Sequence, residues 1–121
     1  MGQQVLIVDD SVSIRQSLRY VVEHEGYDVI EASNGKEALS VIQPTTKLVI
    51  TDINMPEMNG IDFIKAVRAG SPPVKTVPII ILTTESQADM KQKGKEAGAT
   101  AWIVKPFPPE EIVSAIKRLI G

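Results

Sequence analysis

The 121-residue sequence is 43% hydrophobic, enough for one domain with its own core, and we predict a single domain over residues 1–121. It contains no cysteine, which excludes a disulfide framework and a thiolate metal site and is consistent with a cytoplasmic location. The formal net charge is −2 with no run of like charges, so neither nucleic acid nor a membrane surface is an expected partner. The apolar stretch before Asp9 is too short for a secretion signal or a membrane span.

Five short apolar runs have the composition of strands that are covered on both faces of a sheet. They are residues 5–8, 27–32, 47–51, 77–83 and 101–104. A segment with helical spacing of apolar residues follows each run. These helices are predicted at 11–25, from the Asn34 cap to Pro44, from Ile61 to Gly70, at 87–97 and from Pro108 to Ile120. The regular alternation predicts an α/β fold with right-handed crossovers and a parallel sheet.

The fourth predicted helix, residues 87–97, has the weakest amphipathic pattern of the five. Only Ala88, Met90 and Ala97 could face a core, and Gly94 is expected to interrupt the helix. Elements with few buried anchors are those that move in conformational switches, so we expect this helix to be the most mobile.

Polar and charged residues follow four of the predicted strands, at the edge of the sheet where α/β proteins place their functional sites. Asp9 and Asp10 follow the first strand, Asp52 the third, Thr83 ends the fourth and Lys105 follows the fifth. If these strands are neighbours, three carboxylates, a hydroxyl and an ammonium group converge. Three carboxylates raise one another's pKa values unless a cation is present, and their hard oxygen ligands favour Mg²⁺, for which Mn²⁺ can substitute.

Such a cluster supports phosphoryl chemistry. Carboxylates form acyl phosphates, which makes Asp52 the candidate nucleophile, while Lys105 and Thr83 offer a charge and a hydroxyl to the phosphoryl oxygens. Each residue alone has an ordinary reading as a helix cap, a surface lysine or a strand end, and only the convergence favours a site. Trp102 is the single tryptophan, and the sequence is compatible with two roles for it, as a packing residue or as a signalling residue.

Four stretches match a known family in order and spacing: "VLIVDDS", "VITDINMPEMNGIDF", "IIILTTE" and "AWIVKPF". On these motifs the sequence resembles a response-regulator receiver domain of the stand-alone chemotaxis type (CheY-like), and the resemblance covers residues 5–120. It implies a flavodoxin-like fold with a five-stranded parallel sheet in the order 2-1-3-4-5, for which CheY itself is a standard example.

The resemblance also implies how the acidic residues act. Asp52 would be the phosphoacceptor. Asp10, Asp52 and the backbone carbonyl of Asn54 would bind Mg²⁺ directly, and Asp9 would act through a metal-bound water. Three residues beside the phosphoryl group would tune its hydrolysis: Asn54, Thr84 and Glu85.

The remaining roles implied by the resemblance concern the switch. Thr83 would donate a hydrogen bond to a phosphoryl oxygen, Lys105 would pair with another, and the Lys105-Pro106 peptide would be cis. The switch aromatic of the family, usually Tyr or Phe, falls on Trp102, which lacks the hydroxyl and is bulkier than either.

The function that the resemblance implies is a phosphorylation-activated switch of a two-component system that acts in chemotaxis. It implies no enzyme activity beyond Mg²⁺-dependent self-phosphorylation and self-dephosphorylation. A CheA-like histidine kinase would be the phosphodonor. The target protein would dock on the fourth helix, fifth strand and fifth helix, and we expect a monomer. No output domain has room after Gly121, so the signal is expected to leave through the surface of this domain.

Three alternatives remain from the residues. A haloacid dehalogenase-type phosphohydrolase forms an aspartyl phosphate but needs a second acid where Asn54 stands. A flavodoxin would need a hydroxyl- and glycine-rich loop after the first strand, where the acids Asp9 and Asp10 would repel the phosphate. A degenerate receiver acting only as a binding module would lack some of the functional residues, but all five functional positions are occupied here.

Overall fold

The computed structural model describes residues 3–120 and contains five strands, five α-helices and one short 3₁₀ helix. The strands are β1 (Gln4–Val8), β2 (Asp28–Ala32), β3 (Thr46–Thr51), β4 (Ile79–Thr83) and β5 (Ala101–Val104). The helices are α1 (Val12–His24), α2 (Gly35–Val41), α3 (Gly60–Arg68), α4 (Ala88–Ala97) and α5 (Pro109–Leu119), and the 3₁₀ helix is Val74–Thr76. The ends of the predicted domain, residues 1, 2 and 121, lie outside the described residues. Among residues 3–120, no helix combines the length and the apolar character that crossing a bilayer requires.

The strands form one parallel sheet in the order β2-β1-β3-β4-β5, which confirms the predicted fold. The registers align the carboxyl ends of the strands, since Val8 of β1 lies beside Thr51 of β3 and Thr83 of β4 lies beside Val104 of β5. From β1 the chain adds β2 on one side of the sheet, and from β3 it adds β4 and β5 on the other side, so the strand order switches between β1 and β3. Open α/β sheets place their sites outside the carboxyl ends of the strands at such a switch point.

Two hydrophobic clusters cover the two faces of the sheet. Alternate residues of β1 separate between them, with Val5 and Ile7 on the face covered by α1 and α5, and Leu6 and Val8 on the face covered by α2, α3 and α4. All four of these side chains are at most 1% exposed, which explains why the strand reads as a continuous apolar run and not as an alternating one.

Three helices begin at side chains that accept a hydrogen bond from the backbone N–H three residues on. The capping residues are Ser11 (3.3 Å), Asn34 (2.8 Å) and Asn59 (2.9 Å). A cap of this kind typically stabilises a helix by about 1 kcal/mol. Ser11 caps α1 three residues after β1 ends, and Asn59 caps α3 at the end of the loop that follows β3.

The capping box predicted at Asn34 takes a modified form. Instead of reaching the Asn34 backbone, the Glu37 carboxylate accepts hydrogen bonds from the backbone N–H of Ser33 at 2.7 Å and from its hydroxyl at 2.8 Å. These hydrogen bonds lower the pKa of Glu37, because they stabilise the ionised form.

Strand β4 starts two residues later than the sequence predicted. The 3₁₀ helix before it uses the backbone N–H of Val77, which donates to the carbonyl of Val74 at 3.1 Å, and Pro78 has no N–H to donate to a neighbouring strand. Val77 is nevertheless 4% exposed, so its apolar character reflects burial and not strand pairing. The 3₁₀ helix itself was not predicted.

Helix α4 corrects two of the sequence expectations. Gly94 does not interrupt it; the glycine lies on the buried face of a continuous helix of 10 residues. Ala88 is exposed and does not face the core. Ala97 is buried in the core, and Met90 is partly buried and packs against the core. Of the ten described residues of α4, only Gly94 and Ala97 are buried, so the helix has a small apolar interface, as the sequence indicated.

Candidate functional site

The carboxyl ends of β1 and β3 bring the three predicted acids together. One oxygen from each of Asp9, Asp10 and Asp52 lies within 4.8 Å of the other two. Asp9 is 2% exposed and Asp52 8% exposed, whereas Asp10 is open to solvent. Two buried carboxylates beside a third that faces solvent form an acidic pocket with access from one side.

Lys105 joins the pocket from the end of β5. Its Nζ donates hydrogen bonds to Oδ2 of Asp9 and to Oδ2 of Asp52, each at 2.8 Å, and its side chain is only 11% exposed. Burial alone would lower the pKa of Lys105, but the hydrogen bonds and charges of Asp52 and Asp9 outweigh it, and the pKa is raised above its usual value. Lys105 is therefore charged and neutralises part of the acidic pocket. The Lys105-Pro106 peptide is cis, as the resemblance implied.

The Asp52 carboxylate is held on both oxygens. Oδ1 accepts a hydrogen bond from the backbone N–H of Ile53 at 2.6 Å, and Oδ2 accepts that of Lys105. The chain then turns back closely, and Gly60 at the start of α3 lies against the Asp52 backbone. A Cβ built on Gly60 would sit 2.1 Å from the carbonyl oxygen of Asp52, so this approach requires glycine.

The remaining predicted residues differ in how far they are buried. Thr83 is fully buried, and its hydroxyl accepts a hydrogen bond from the backbone N–H of Glu85 at 3.3 Å. Within residues 3–120 it makes no hydrogen bond to the three acids. Asn54 and Thr84 are exposed, and Glu85 is half-buried. Thr83 is thus buried beside the backbone of Lys105, whose N–H donates to the Thr83 carbonyl at 2.8 Å, whereas Asn54 and Thr84 are open to solvent.

Trp102 lies on β5 and packs against the inner face of α4. Its indole Nε1–H donates to the backbone carbonyl of Glu85 at 3.1 Å, which provides the partner that a half-buried indole needs. A Cβ on Gly94 would lie 2.8 Å from Cζ3 of the indole and 2.8 Å from Cδ1 of Ile81. The absence of a side chain at Gly94 therefore makes room for the ring, a relation that the sequence did not reveal.

The donor set of the pocket suits a divalent cation. Three carboxylates that converge within 4.8 Å offer hard oxygen ligands, and the three negative charges exceed the single positive charge of Lys105. A hard divalent ion would supply the missing positive charge and accept these oxygens as ligands. The residues present are therefore compatible with a bound divalent metal.

Residues 5–117 match the family of response regulator receiver domains. The chain belongs to this family. The chemotaxis protein CheY1 of Helicobacter pylori is 40% identical to it over 121 residues, which cover 98% of this chain and 97% of that protein. The structure of the chemotaxis protein CheY4 of Vibrio cholerae superposes with a TM-score of 0.92 at 44% identity, covering 99% of this chain and 100% of that one.

Receivers also occur within longer proteins. The transcriptional regulatory protein SrrA of Staphylococcus aureus is 37% identical over 121 residues, which cover 99% of this chain but only 48% of SrrA. Receiver domains of the CheY type are signalling switches of two-component systems, with a histidine kinase as phosphodonor and a protein as target. Membership places this chain among signalling switches and not among ordinary enzymes.

Proposed function

We propose that this receiver is a phosphorylation-activated switch in which Asp52 accepts a phosphoryl group from a histidine kinase. The observation that carries the proposal is the Asp52 carboxylate itself, 8% exposed and bound by Lys105 beside two further acids. In the reaction, an oxygen of Asp52 forms a bond to phosphorus as the bond from phosphorus to the histidine nitrogen breaks. The product is an acyl phosphate on Asp52 and a free histidine on the donor.

The metal in this proposal is Mg²⁺, with Mn²⁺ as a substitute, held by Asp10, Asp52 and the carbonyl of Asn54, with Asp9 acting through water. When bound, the ion supplies positive charge for the phosphoryl oxygens. Lys105 adds a second positive charge on the same oxygens, and its hydrogen bonds with the two buried acids already orient its ammonium group toward the pocket.

Two observations favour self-phosphorylation and self-dephosphorylation of Asp52 over the activity of a phosphohydrolase. Asn54, two residues after Asp52, cannot transfer a proton, so the second acid of a haloacid dehalogenase-type enzyme is missing. Asn54 and Thr84 are exposed and Glu85 is half-buried, and we propose that these three side chains tune the access of water to an acyl phosphate. We also propose that residues 1–121 form a single receiver domain that serves one switch.

The output is proposed to be chemotaxis through a protein that docks on α4, β5 and α5. The names of two relatives, CheY1 and CheY4, support chemotaxis, whereas SrrA shows that similar receivers also occur in transcriptional regulators. Trp102 lies in β5 against α4, so a change at its ring would reach this surface. We further propose a cytoplasmic monomer, a CheA-like kinase as donor, and no partner among nucleic acids or membranes.

Self-phosphorylation from acetyl phosphate tests the proposal, with intact-mass spectrometry as the readout. We expect one phosphate adduct on the wild-type protein in the presence of Mg²⁺, and none when the metal is chelated. Asp52→Asn should abolish the adduct, whereas Asp28→Asn, the same change at an exposed strand start outside the pocket, should retain it. An adduct that persists in Asp52→Asn would disprove the proposed phosphoacceptor.

A further inference from the structure

Arg15, in the second turn of α1, connects the acidic pocket to the neighbouring strand β2. Its guanidinium donates from Nη1 to the backbone carbonyl oxygen of Asp9 at 2.6 Å and from Nε to Oε1 of Glu31 at 2.8 Å. The Arg15 side chain is 15% exposed and that of Glu31 28%. The carboxylate of Glu31 therefore holds the guanidinium in place while its other arm reaches the backbone of a pocket acid.

The contact with the Asp9 carbonyl fixes the peptide that joins Asp9 to Asp10. Because a peptide group is planar, holding its carbonyl oxygen sets the direction in which the next residue begins. The other groups of Asp9 are also held, by Ala32 O for its N–H at 3.1 Å and by Ser11 N–H for Oδ1 at 2.9 Å. In contrast, the exposed Asp10 carboxylate has no hydrogen-bond partner within residues 3–120.

We infer that Arg15, anchored by Glu31, is a positioning residue that aims Asp10 at the divalent cation of the pocket. The inference rests on the proposed function, because it concerns the same metal site. Asp10 is oriented through its backbone and not by contacts of its own side chain. Groups in the second layer around metal ligands commonly act in this way, and their removal typically weakens metal affinity by about 10- to 100-fold.

Charge and position make opposite predictions for the loss of Arg15. Its positive charge repels a cation in the pocket, so if only charge mattered, Arg15→Ala would bind the metal more tightly. If Arg15 orients Asp10, the same substitution binds the metal more weakly. The sign of the change in affinity therefore separates the two roles.

Arg19 provides a matched control on the same helix. Its Nη1 binds the other oxygen of Glu31 at 3.0 Å, and its Nη2 donates to the backbone carbonyl of Val29 at 3.0 Å. Arg19→Ala removes the same charge and one bond to the same carboxylate, but it leaves the Asp9 carbonyl and its contact with Arg15 in place.

The experiment is calorimetric titration of the phosphate-free protein with Mn²⁺, accompanied by thermal unfolding of each variant. We expect Arg15→Ala to weaken Mn²⁺ binding by about tenfold, the low end for such groups. Arg19→Ala should bind as tightly as wild type or slightly more tightly. Arg15→Lys keeps the charge but cannot make both contacts at once, so its affinity should fall between those of wild type and Arg15→Ala. It also serves as the test if Arg15→Ala fails to fold.

The inference is overturned if Arg15→Ala, or Arg15→Lys in its place, binds Mn²⁺ as tightly as Arg19→Ala. It is also overturned if wild-type protein binds no Mn²⁺, because then there is no site to organise. Failure of the proposed function looks different: wild type would bind Mn²⁺ with the predicted dependence on Arg15, yet Asp52 would take up no phosphate from acetyl phosphate.

Discussion

Replacing Asp10 by Asn should make the metal-free protein more stable, although it removes a residue of the proposed site. The three carboxylate oxygens lie within 4.8 Å of one another, and Lys105 offsets part of their charge. The nearby charge of Arg15 is largely balanced by its ion pair with Glu31. Asp10 is repelled by Asp9 and Asp52 and attracted by Lys105. If Asp10 lies about equally far from the two carboxylates and from the ammonium group, the attraction cancels one of the two repulsions. Asp10→Asn then removes the repulsion that remains.

The size of this effect follows from the separation. Two unit charges 4.8 Å apart interact with about 0.9 kcal/mol at the permittivity of water and about 3.5 kcal/mol at an effective value of 20. Asp10 is exposed, so solvent screens its charge and the lower figure applies. We therefore expect Asp10→Asn to raise the free energy of unfolding by about 1 kcal/mol in the absence of divalent metal.

Mg²⁺ should reverse the order of stability. A ligand at ten times its dissociation constant stabilises the folded state by about 1.4 kcal/mol, which exceeds the repulsion that Asp10→Asn relieves. Urea unfolding with and without Mg²⁺ measures both effects, and Asp28→Asn controls for the change in net charge, since Asp28 lies exposed at the start of β2. If the two variants show equal stability without metal, the acids do not repel one another and the electrostatic reasoning is wrong.

Two further predictions concern Lys105 and Gly94. Because the pKa of Lys105 is raised in the folded state, its contribution to stability is complete below the unfolded pKa of about 10.4 and is lost as the pH rises through the folded pKa. The difference in free energy of unfolding between wild type and Lys105→Met should therefore become smaller between pH 9 and pH 11.5, as measured by urea unfolding without metal. A difference that stays constant over this range would contradict the prediction. Gly94→Ala would put a Cβ 2.8 Å from the Trp102 indole, so overpacking of about 1–3 kcal/mol should outweigh the gain of about 1 kcal/mol in helix propensity. We expect destabilisation by about 1 kcal/mol with altered Trp102 emission, and neither effect in the exposed Lys93→Ala; unchanged emission would show that the ring does not pack on Gly94.

The strands and most helices could be predicted because local patterns determine them. Continuous apolar runs such as residues 5–8 reflect burial on both faces, and the caps Ser11 and Asn34 mark helix starts in the sequence itself. The acidic pocket could be predicted for a related reason, since parallel strands deliver whatever follows them to one edge of the sheet. Asp52 and Lys105 are 53 positions apart, yet this rule, with the strand order that the resemblance implied, predicted that they meet.

What the sequence did not reveal depends on contacts between elements. Gly94 looked like a break in a weak helix because helix propensity takes no account of the tryptophan ring that packs on it. Arg15 and Glu31 are unremarkable as a helix arginine and a strand glutamate, and only the packing of α1 beside β2 joins them. Val77 was assigned to a strand because burial and strand pairing produce the same apolar signal.

The described contacts also suggest how an event at Asp52 would reach the surface of α4 and β5. Thr83 is buried at the end of β4, where its carbonyl accepts the backbone N–H of Lys105 at 2.8 Å and its hydroxyl accepts the N–H of Glu85. The carbonyl of Glu85 in turn accepts the indole N–H of Trp102, so one residue carries both hydrogen bonds. If the Thr83 hydroxyl turned toward a phosphoryl oxygen, its acceptor would move away from Glu85, and the loop that holds the indole would have to adjust. Tyrosine at position 102 would present a hydroxyl to that loop; tryptophan instead uses its ring N–H and needs Gly94 to admit its larger ring. The signal would therefore leave the site by displacing a packed ring against α4, a helix with few buried anchors, and such elements shift at a low cost in free energy.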